Sequence, residues 1–305
     1  MNEKISIVLP ACDEEGTIEE VIRQSYEYLK KKGYDGEIIV INDGSRDNTG
    51  KIVSSLREEI PNLKLLNHRK RKGLTEALVT GFSNVSGDII IFLPADLQSK
   101  PIEDIPKLLS VIFEGYDIAA GCRKGRKEFK IFASGIYNFL CKLMFNVNVK
   151  DQNWIKAFKR EVIEDIPLRA NWHRYIIPIA CNEGYTVKEV ETNWYPRQSG
   201  NSKFGFRRLF AAFIDLIVVK FRLSFMKKPM YFFGGIGAVF FVSGFTINLL
   251  QVISDYLLRI YDIKEHIPMV ILGVSLMILG FQIISLGFLG ELIVEQFSTK
   301  KKRRD

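Results

Sequence analysis

The sequence predicts an α/β protein with a mostly parallel sheet flanked by helices, followed by a hairpin of two membrane-spanning helices. Three observations lead there. Short β-branched runs alternate with segments of helical period, the connections between them are short, and two long apolar stretches without charge follow near the C-terminus. Alternation of this kind requires each strand to return parallel to the last, with its helix lying on a face of the sheet. No internal repeat or low-complexity segment interrupts the pattern.

Residues 5–9 form an apolar, β-branched run of the kind a strand buried on both faces needs. Thr17 and Glu20 have capping-box spacing, and Ile18, Val21, Ile22, Ser25 and Leu29 then fall on one helical face. Further strands are expected over 37–41, 63–67, 88–93 and 116–120, with helices over 47–59, 74–83 and 102–114. Residues 124–205 are less regular. Residues 207–226 are basic and amphipathic, with Leu209, Phe213, Ile217 and Phe221 available for an apolar face, which predicts a helix in the membrane interface.

No charged residue occurs in 230–254 or 267–290, and each stretch exceeds the roughly 20 residues that cross a bilayer core. The resulting expectation is a soluble domain over 1–205, an interface segment over 206–228, two spans within 229–298 and a basic tail over 299–305. The net charge is +8, and much of the excess flanks the spans: Lys227 and Lys228 before them, and Lys300 to Arg304 after. Flanking cations predict that the soluble domain and both ends of the hairpin face the cytoplasm of a cell membrane crossed twice. No signal-peptide pattern opens the sequence, in keeping with that orientation. Because the basic residues gather around the spans, and not with aromatics on a soluble face, a nucleic-acid partner is not expected. Association between the spans of neighbouring chains stays open. The four cysteines, Cys12, Cys122, Cys141 and Cys181, have no paired spacing, which argues against zinc and for free thiols in a reducing compartment.

Ligands of such sheets collect beyond the carboxyl ends of the strands. After the first strand comes Pro10-Ala11-Cys12-Asp13-Glu14-Glu15, and after the second Asn42-Asp43-Gly44-Ser45. The fourth is followed by Pro94-Ala95-Asp96-Leu97-Gln98, and the fifth by Gly121-Cys122-Arg123. No Gly-rich dinucleotide or P-loop pattern follows the first strand. Carboxylates at these positions can instead accept hydrogen bonds from a base or ribose, and hold a divalent cation against a diphosphate. Asp96 and the carbonyl of Gln98 put two oxygens on one loop. Taken singly, Asp43 also reads as turn chemistry, Asp96 as a helix cap and Arg123 as a solvated charge; their joint placement at successive strand ends favours a site.

These strand-end motifs resemble those of inverting family-2 glycosyltransferases with the GT-A (Rossmann-like) fold, in particular the polyprenyl-phosphate (dolichyl- or undecaprenyl-phosphate) hexosyltransferases. His173-Arg174-Tyr175 with Pro178 resembles that subgroup's "HRY…PA" segment, and the run from Arg197 to Gly205 its "R-x-x-G-x-S-K-[YF]-G" stretch. The resemblance extends from about Ile5 to the C-terminus. It implies that Pro10, Cys12, Glu14, Ile41 and Asp43 line a nucleoside pocket, with Ala95 near the diphosphate. It implies that Asp96 and Gln98 bind Mg or Mn, and that Arg123, Arg197, Ser202 and Lys203 handle phosphates of donor or lipid acceptor. Asp96, Arg123 and Asp151 are the implied catalytic residues. The implied partners are a nucleoside-diphosphate sugar, a polyprenyl phosphate and the bilayer.

The sequence departs from the family pattern at several points. Pro94 occupies the first position of the usual D-x-D, so either fewer protein ligands hold the ion or metal dependence is weaker. Cys12 replaces an aromatic, Asp13 an asparagine, and the stretch from Asp151 to Phe158 matches only with altered spacing. Two rival readings are a family-2 transferase with a polysaccharide or protein acceptor, and a catalytically inert membrane scaffold that keeps the fold.

Overall fold

The computed structural model describes residues 3–124, 142, 145, 147, 149–166, 172–196, 218–221, 223, 228–257 and 266–302. The expected interface helix over 207–226 falls largely outside this set, and Arg197, Ser202 and Lys203 fall wholly outside it. The chain divides into two compact units, Met1–Phe213 and Ile214–Asp305.

In the first unit, strands β1 (Ile5–Ala11), β2 (Gly36–Asn42), β3 (Leu63–Asn67), β4 (Ile89–Phe92), β5 (Ile118–Lys124), β6 (Lys156–Lys159) and β7 (Val187–Asn193) form one sheet. Its order is β3-β2-β1-β4-β6-β5-β7. Around it lie helices α1 (Ile18–Lys32), α2 (Thr49–Glu59), α3 (Leu74–Phe82), α4 (Pro101–Phe113), α5 (Arg160–Asp165) and α6 (Ile176–Asn182). Strands β1 to β4 pair in parallel, as do β5 and β7, while β6 runs antiparallel between β4 and β5. The first four strands and four helices thus stand where periodicity places them. The expected face of α1 is the buried one, and the interior residues of β1 and β2 are buried on both faces, which explains why their sequences do not alternate.

Two expectations need correction, and the strand order adds a third point. The fifth strand is Ile118–Lys124 and not 116–120, so Arg123 belongs to the strand itself, opposite Thr192 of β7. Strand length here follows from the partner, and β7 lies in the stretch whose sequence looked irregular. The fifth strand also does not adjoin the fourth, because β6 is inserted between them. Finally, Thr17 makes no capping bond to its own helix; its hydroxyl donates 2.7 Å to the carbonyl of Ala95. That bond ties the loop after β1 to the loop after β4.

Helix α3 packs closely on the sheet. A Cβ added at Gly81 would meet Val8 Cγ1 at 2.6 Å and Ile41 Cδ1 at 2.9 Å, so only glycine lets the helix approach this far. Near the amino ends of β1 and β2, Glu37 accepts hydrogen bonds from Ser6 (2.6 Å) and Ser86 and pairs with Lys64 (2.6 Å). Burial would raise its pKa, but these partners outweigh it and hold the carboxyl at about 2.

The second unit contains α7 (Pro229–Val252), continued by a π-helical turn (Ile253–Leu257), and α8 (Ile267–Lys302). Pro229–Tyr256 and Ile267–Gln296 are each long and apolar enough to cross a membrane. They pack antiparallel through glycines at heptad spacing. A Cβ on Gly237 would lie 2.6 Å from the Gly280 carbonyl, and one on Gly244 only 2.3 Å from that of Gly273. Such close backbone contact suits helices that gain nothing from burying apolar surface in lipid. Large apolar side chains point outward, Val239 and Phe281 both 65% exposed.

Glu37→Gln is expected to lower unfolding free energy by about 1–3 kcal/mol near neutral pH, by weakening a buried charge-assisted network. Because the folded-state pKa is depressed, this stabilisation is complete above the ordinary carboxylate value and is lost as pH falls toward about 2. Thermal unfolding of both proteins across that range should therefore show the difference in Tm shrinking with acid.

Candidate active site

At the carboxyl edge of the sheet lies a cleft of about 550 Å³. Strands β1, β2, β4 and β5 end there, and antiparallel β6 begins there, so residues 153–155 approach the same edge from the opposite direction. Of the residues that sequence reading placed in a site, Pro10, Cys12, Glu14, Asp43, Ala95, Asp96, Gln98 and Arg123 line the cleft. Ile41 does not. It is 0% exposed and lies in the core beneath α3, inside β2 and short of the strand end where the cleft opens.

The loop after β1 is stitched to the loop after β2. Asp13 has φ +58; its N–H donates to Ser45 Oγ (3.1 Å) and its carboxylate accepts from Arg46 N–H (2.7 Å). The N–H of Glu14 donates to Thr49 Oγ1 at 2.9 Å, and Glu15 accepts from Asn48. A second positive φ, +53, occurs at Leu97 between Asp96 and Gln98. Left-handed backbone is costly for such a side chain, and two instances at neighbouring strand ends match the clustering of strain at functional sites.

Asp43 is 4% exposed. Its carboxylate accepts from His68 Nδ1, Lys72 N–H and Gly73 N–H, each at 2.8 Å. Burial works to raise its pKa, but these donors prevail and hold it below the ordinary value. Asp43 therefore clamps the β3–α3 loop as well as facing the cleft. Arg71 of that loop lines the cleft too. It acts on Cys12, where burial pushes the thiol pKa up and the nearby guanidinium opposes it.

On the other wall, Arg123 and Asp151 form a bidentate pair at 2.6 and 2.8 Å. The guanidinium lies 4.7 Å from the centre of the Trp154 ring, whose indole N–H donates to Thr192. Both oxygens of Asp151 are engaged, so its evident task is to orient Arg123. Beneath them Lys156 is wholly buried and donates to the Trp154 carbonyl at 2.7 Å; burial lowers its pKa to about 8. His173 bonds Thr75 at the start of α3 (2.8 Å), and burial, then Arg174 and Lys156, hold it down at about 3, a neutral imidazole.

As for a cation, Asp96 is 7% exposed and lies on the tight turn where Gln98 N–H reaches its carboxylate at 3.2 Å. The Gln98 carbonyl, read from sequence as a second ligand, accepts instead from Tyr195 N–H at 3.0 Å. Among the described residues no group of three or more His, Cys, Asp or Glu is placed to hold a metal. This donor set fits an ion that shares a diphosphate's oxygens and keeps waters, and does not fit one caged by protein alone. Sequence reading missed Arg71, Gly73, Asn153 and Trp154. The basic run over 69–72 was visible, but only the fold turns it toward the cleft.

A carboxyl-edge cleft with this mixture of acidic turn and cationic walls, on this sheet order, defines a GT-A glycosyltransferase. The chain belongs to glycosyl transferase family 2, whose model matches residues 6–175. An undecaprenyl-phosphate 4-deoxy-4-formamido-L-arabinose transferase of Salmonella paratyphi B is 30% identical across 98% of this chain and 91% of its own length, and the protein of that name from Salmonella enteritidis matches to the same extent. Among solved structures, a glucosyl-3-phosphoglycerate synthase of Mycobacterium tuberculosis with Mg2+ and uridine diphosphate superposes with TM-score 0.56 at 22% identity, over 70% of this chain and 79% of that one. The same enzyme with Mn2+, UDP-glucose and phosphoglyceric acid gives TM-score 0.56 at 20% identity, over 72% and 79%. At that identity the likeness shows the fold.

Asp151→Ala leaves Arg123 mostly buried without its counter-charge, and is expected to cost about 3 kcal/mol of stability. Thermal unfolding in detergent should show a Tm lower by several degrees, whereas Glu191→Ala, at an exposed pair with Lys124, should leave Tm nearly unchanged.

Proposed function

We propose that the enzyme transfers a hexosyl-type sugar from a nucleoside-diphosphate donor to a polyprenyl phosphate at the cytoplasmic face of a cell membrane, with inversion at the anomeric carbon. The observation that carries this reading is the single cleft that gathers Asp96 with Arg71 and Arg123 at the carboxyl edge. The activity for which the Salmonella relatives are named supports the acceptor. So does the state of the site's acids: Asp43 and Asp151 are bonded within the chain, and a phosphate acceptor, anionic at neutral pH, needs no strong base to become a nucleophile.

The residues divide the work as follows. The loops after β1 and β2 receive the nucleoside, with Asp43 and Glu14 facing it. The Asp96 turn meets the diphosphate, and Asp96 would hold a divalent cation against it. Such a cation would neutralise charge developing on the leaving diphosphate. Arg123, held by Asp151 and stacked on Trp154, fixes a phosphate on the opposite side, so that donor and acceptor are aligned for direct displacement. Arg197, Ser202 and Lys203 belong with the acceptor phosphate in this reading. The two spans and the amphipathic stretch before them keep the soluble domain at the headgroup level, and Lys227, Lys228 and the basic tail set both ends on the cytoplasmic side and attract the anionic lipid.

Asp96→Ala should reduce transfer by a thousandfold or more, an order expected when a key charge contact to the leaving group is lost, with Tm preserved. Assay of purified protein with radiolabelled nucleotide-sugars and polyprenyl phosphate measures this, and retained activity removes Asp96 from the mechanism. Exhaustive chelation with EDTA should suppress turnover, and Mg2+ or Mn2+ should restore it; an unaltered rate means the Pro94 chain works without metal.

A further inference from the structure

The loop between β3 and α3 carries four consecutive cations, Arg69, Lys70, Arg71 and Lys72, all largely exposed. Like charges so close repel one another, and a free loop of this composition would spread into solvent. It is instead pinned at both ends and in the middle. His68 N–H donates to the Asn42 carbonyl at 3.0 Å. The N–H groups of Lys72 and Gly73 are held by the two oxygens of Asp43. Between them the backbone presses on Gly44, where a Cβ would stand 2.5 Å from Arg71 N and 2.6 Å from the Lys70 carbonyl carbon.

The imidazole of His68 braces this arrangement. Its Nδ1 is 2.8 Å from Asp43 Oδ1 and its Nε2 2.9 Å from Thr80 Oγ1 on α3. An ionised carboxylate only accepts, so Nδ1 carries a proton and donates it to Asp43, while Nε2 is hydrogen-bonded to the threonine hydroxyl. The ring thereby links the end of β2, the start of the loop and the helix that follows it. Of the four cations, the one on the cleft is Arg71, and it lies between two pinned points.

We propose that His68 is a positioning residue for donor binding: through Asp43 and Thr80 it fixes the 69–73 loop so that the Arg71 guanidinium is presented to a nucleoside diphosphate in the cleft. Donor recognition on this wall is then a property of the braced loop, with Asp43 acting through it as well as directly. The inference rests on the cleft being the donor site. The His68 ring is not among the groups that line the cleft, so its effect travels through the loop it braces, above all through Arg71.

That makes the test a double-mutant cycle. Binding of UDP, GDP, CDP and ADP to the purified full-length chain in detergent is measured by calorimetry, and the tightest ligand is carried forward. His68→Ala is expected to weaken its Kd about tenfold and to raise the donor KM equally, with kcat at saturating donor within about twofold. Loss of folded protein alone would lower apparent kcat and leave KM unmoved. Arg71→Ala should weaken binding about tenfold or more, and the double variant should be no weaker than Arg71→Ala by more than about twofold. Unchanged affinity in His68→Ala, or penalties that multiply in the double variant, overturn the proposal. Should His68→Ala not fold, Thr80→Val removes the far partner of the ring without touching the cleft; it should weaken binding about threefold, and no change there overturns the proposal equally. If the unsubstituted chain binds none of the four diphosphates, the donor reading itself falls, a result distinct from a silent His68.

Discussion

The four-residue strand β6, running against its neighbours between β4 and β5, is the constraint on which the rest of the soluble unit depends. Without it the sheet would be two fragments, β1 to β4 and β5 with β7. With it, the chain that leads into β6 is delivered to the edge where the parallel strands end. A parallel strand in that place would send its first residues to the other edge. Its direction therefore puts Asn153, Trp154 and Ile155 opposite the loops after β1, β2 and β4. The same geometry lets Asp151 reach Arg123 on β5, and lets the Lys156 ammonium bond the Trp154 carbonyl from below. Burying that cation is costly, and its pKa is depressed accordingly.

In and around the cleft, several acidic side chains are spent on the protein's own architecture. Asp13 and Glu15 fasten one loop to the next, Asp43 grips the N–H groups of a basic loop, and Asp151 is consumed by Arg123. Charged hydrogen bonds of this kind hold loops more rigidly than neutral ones. The result is a site whose acids mostly shape and whose cations are presented, which suits ligands bearing phosphates at both ends of the reaction. The strained residues Asp13 and Leu97 fit the same picture. Their backbone is fixed by bonds across the loops and not by local preference.

The second unit solves a different problem. Its helices are apolar all round, and such helices in lipid would find each other by shape and not by hydrophobicity. Gly237 and Gly244 on one helix and Gly273 and Gly280 on the other stand seven residues apart; a Cβ at Gly237, Gly244 or Gly280 would strike the facing backbone, and one at Gly273 the Asn248 amide. A period of seven keeps the seam on one side of both helices.

Legible in the sequence alone were the class of the fold, the first four strands and helices, the two long apolar helices, and a core of the residues that line the cleft, from Pro10 and Asp43 to Asp96 and Arg123. These are local properties: β-branched runs, helical periodicity, span length and the rule that ligands gather at carboxyl ends. Even the Gly44 turn was legible. Only the tertiary structure decided what each residue does there. β6 is short and begins and ends on lysine, so no period marks it, and β7 is recognisable only through its partner. Thr17 has a capping-box neighbour in sequence but a better acceptor in Ala95, far along the chain. Ile41 lies within β2 and Asp43 just past its end, yet one is core and the other is site. His68 and Arg71 became functional candidates only once Asp43 was seen to hold their loop. The physical reason is common to all of these: hydrogen bonds and pleat direction between distant segments assign a side chain its partner, and a single chain read in order contains no distances between such segments.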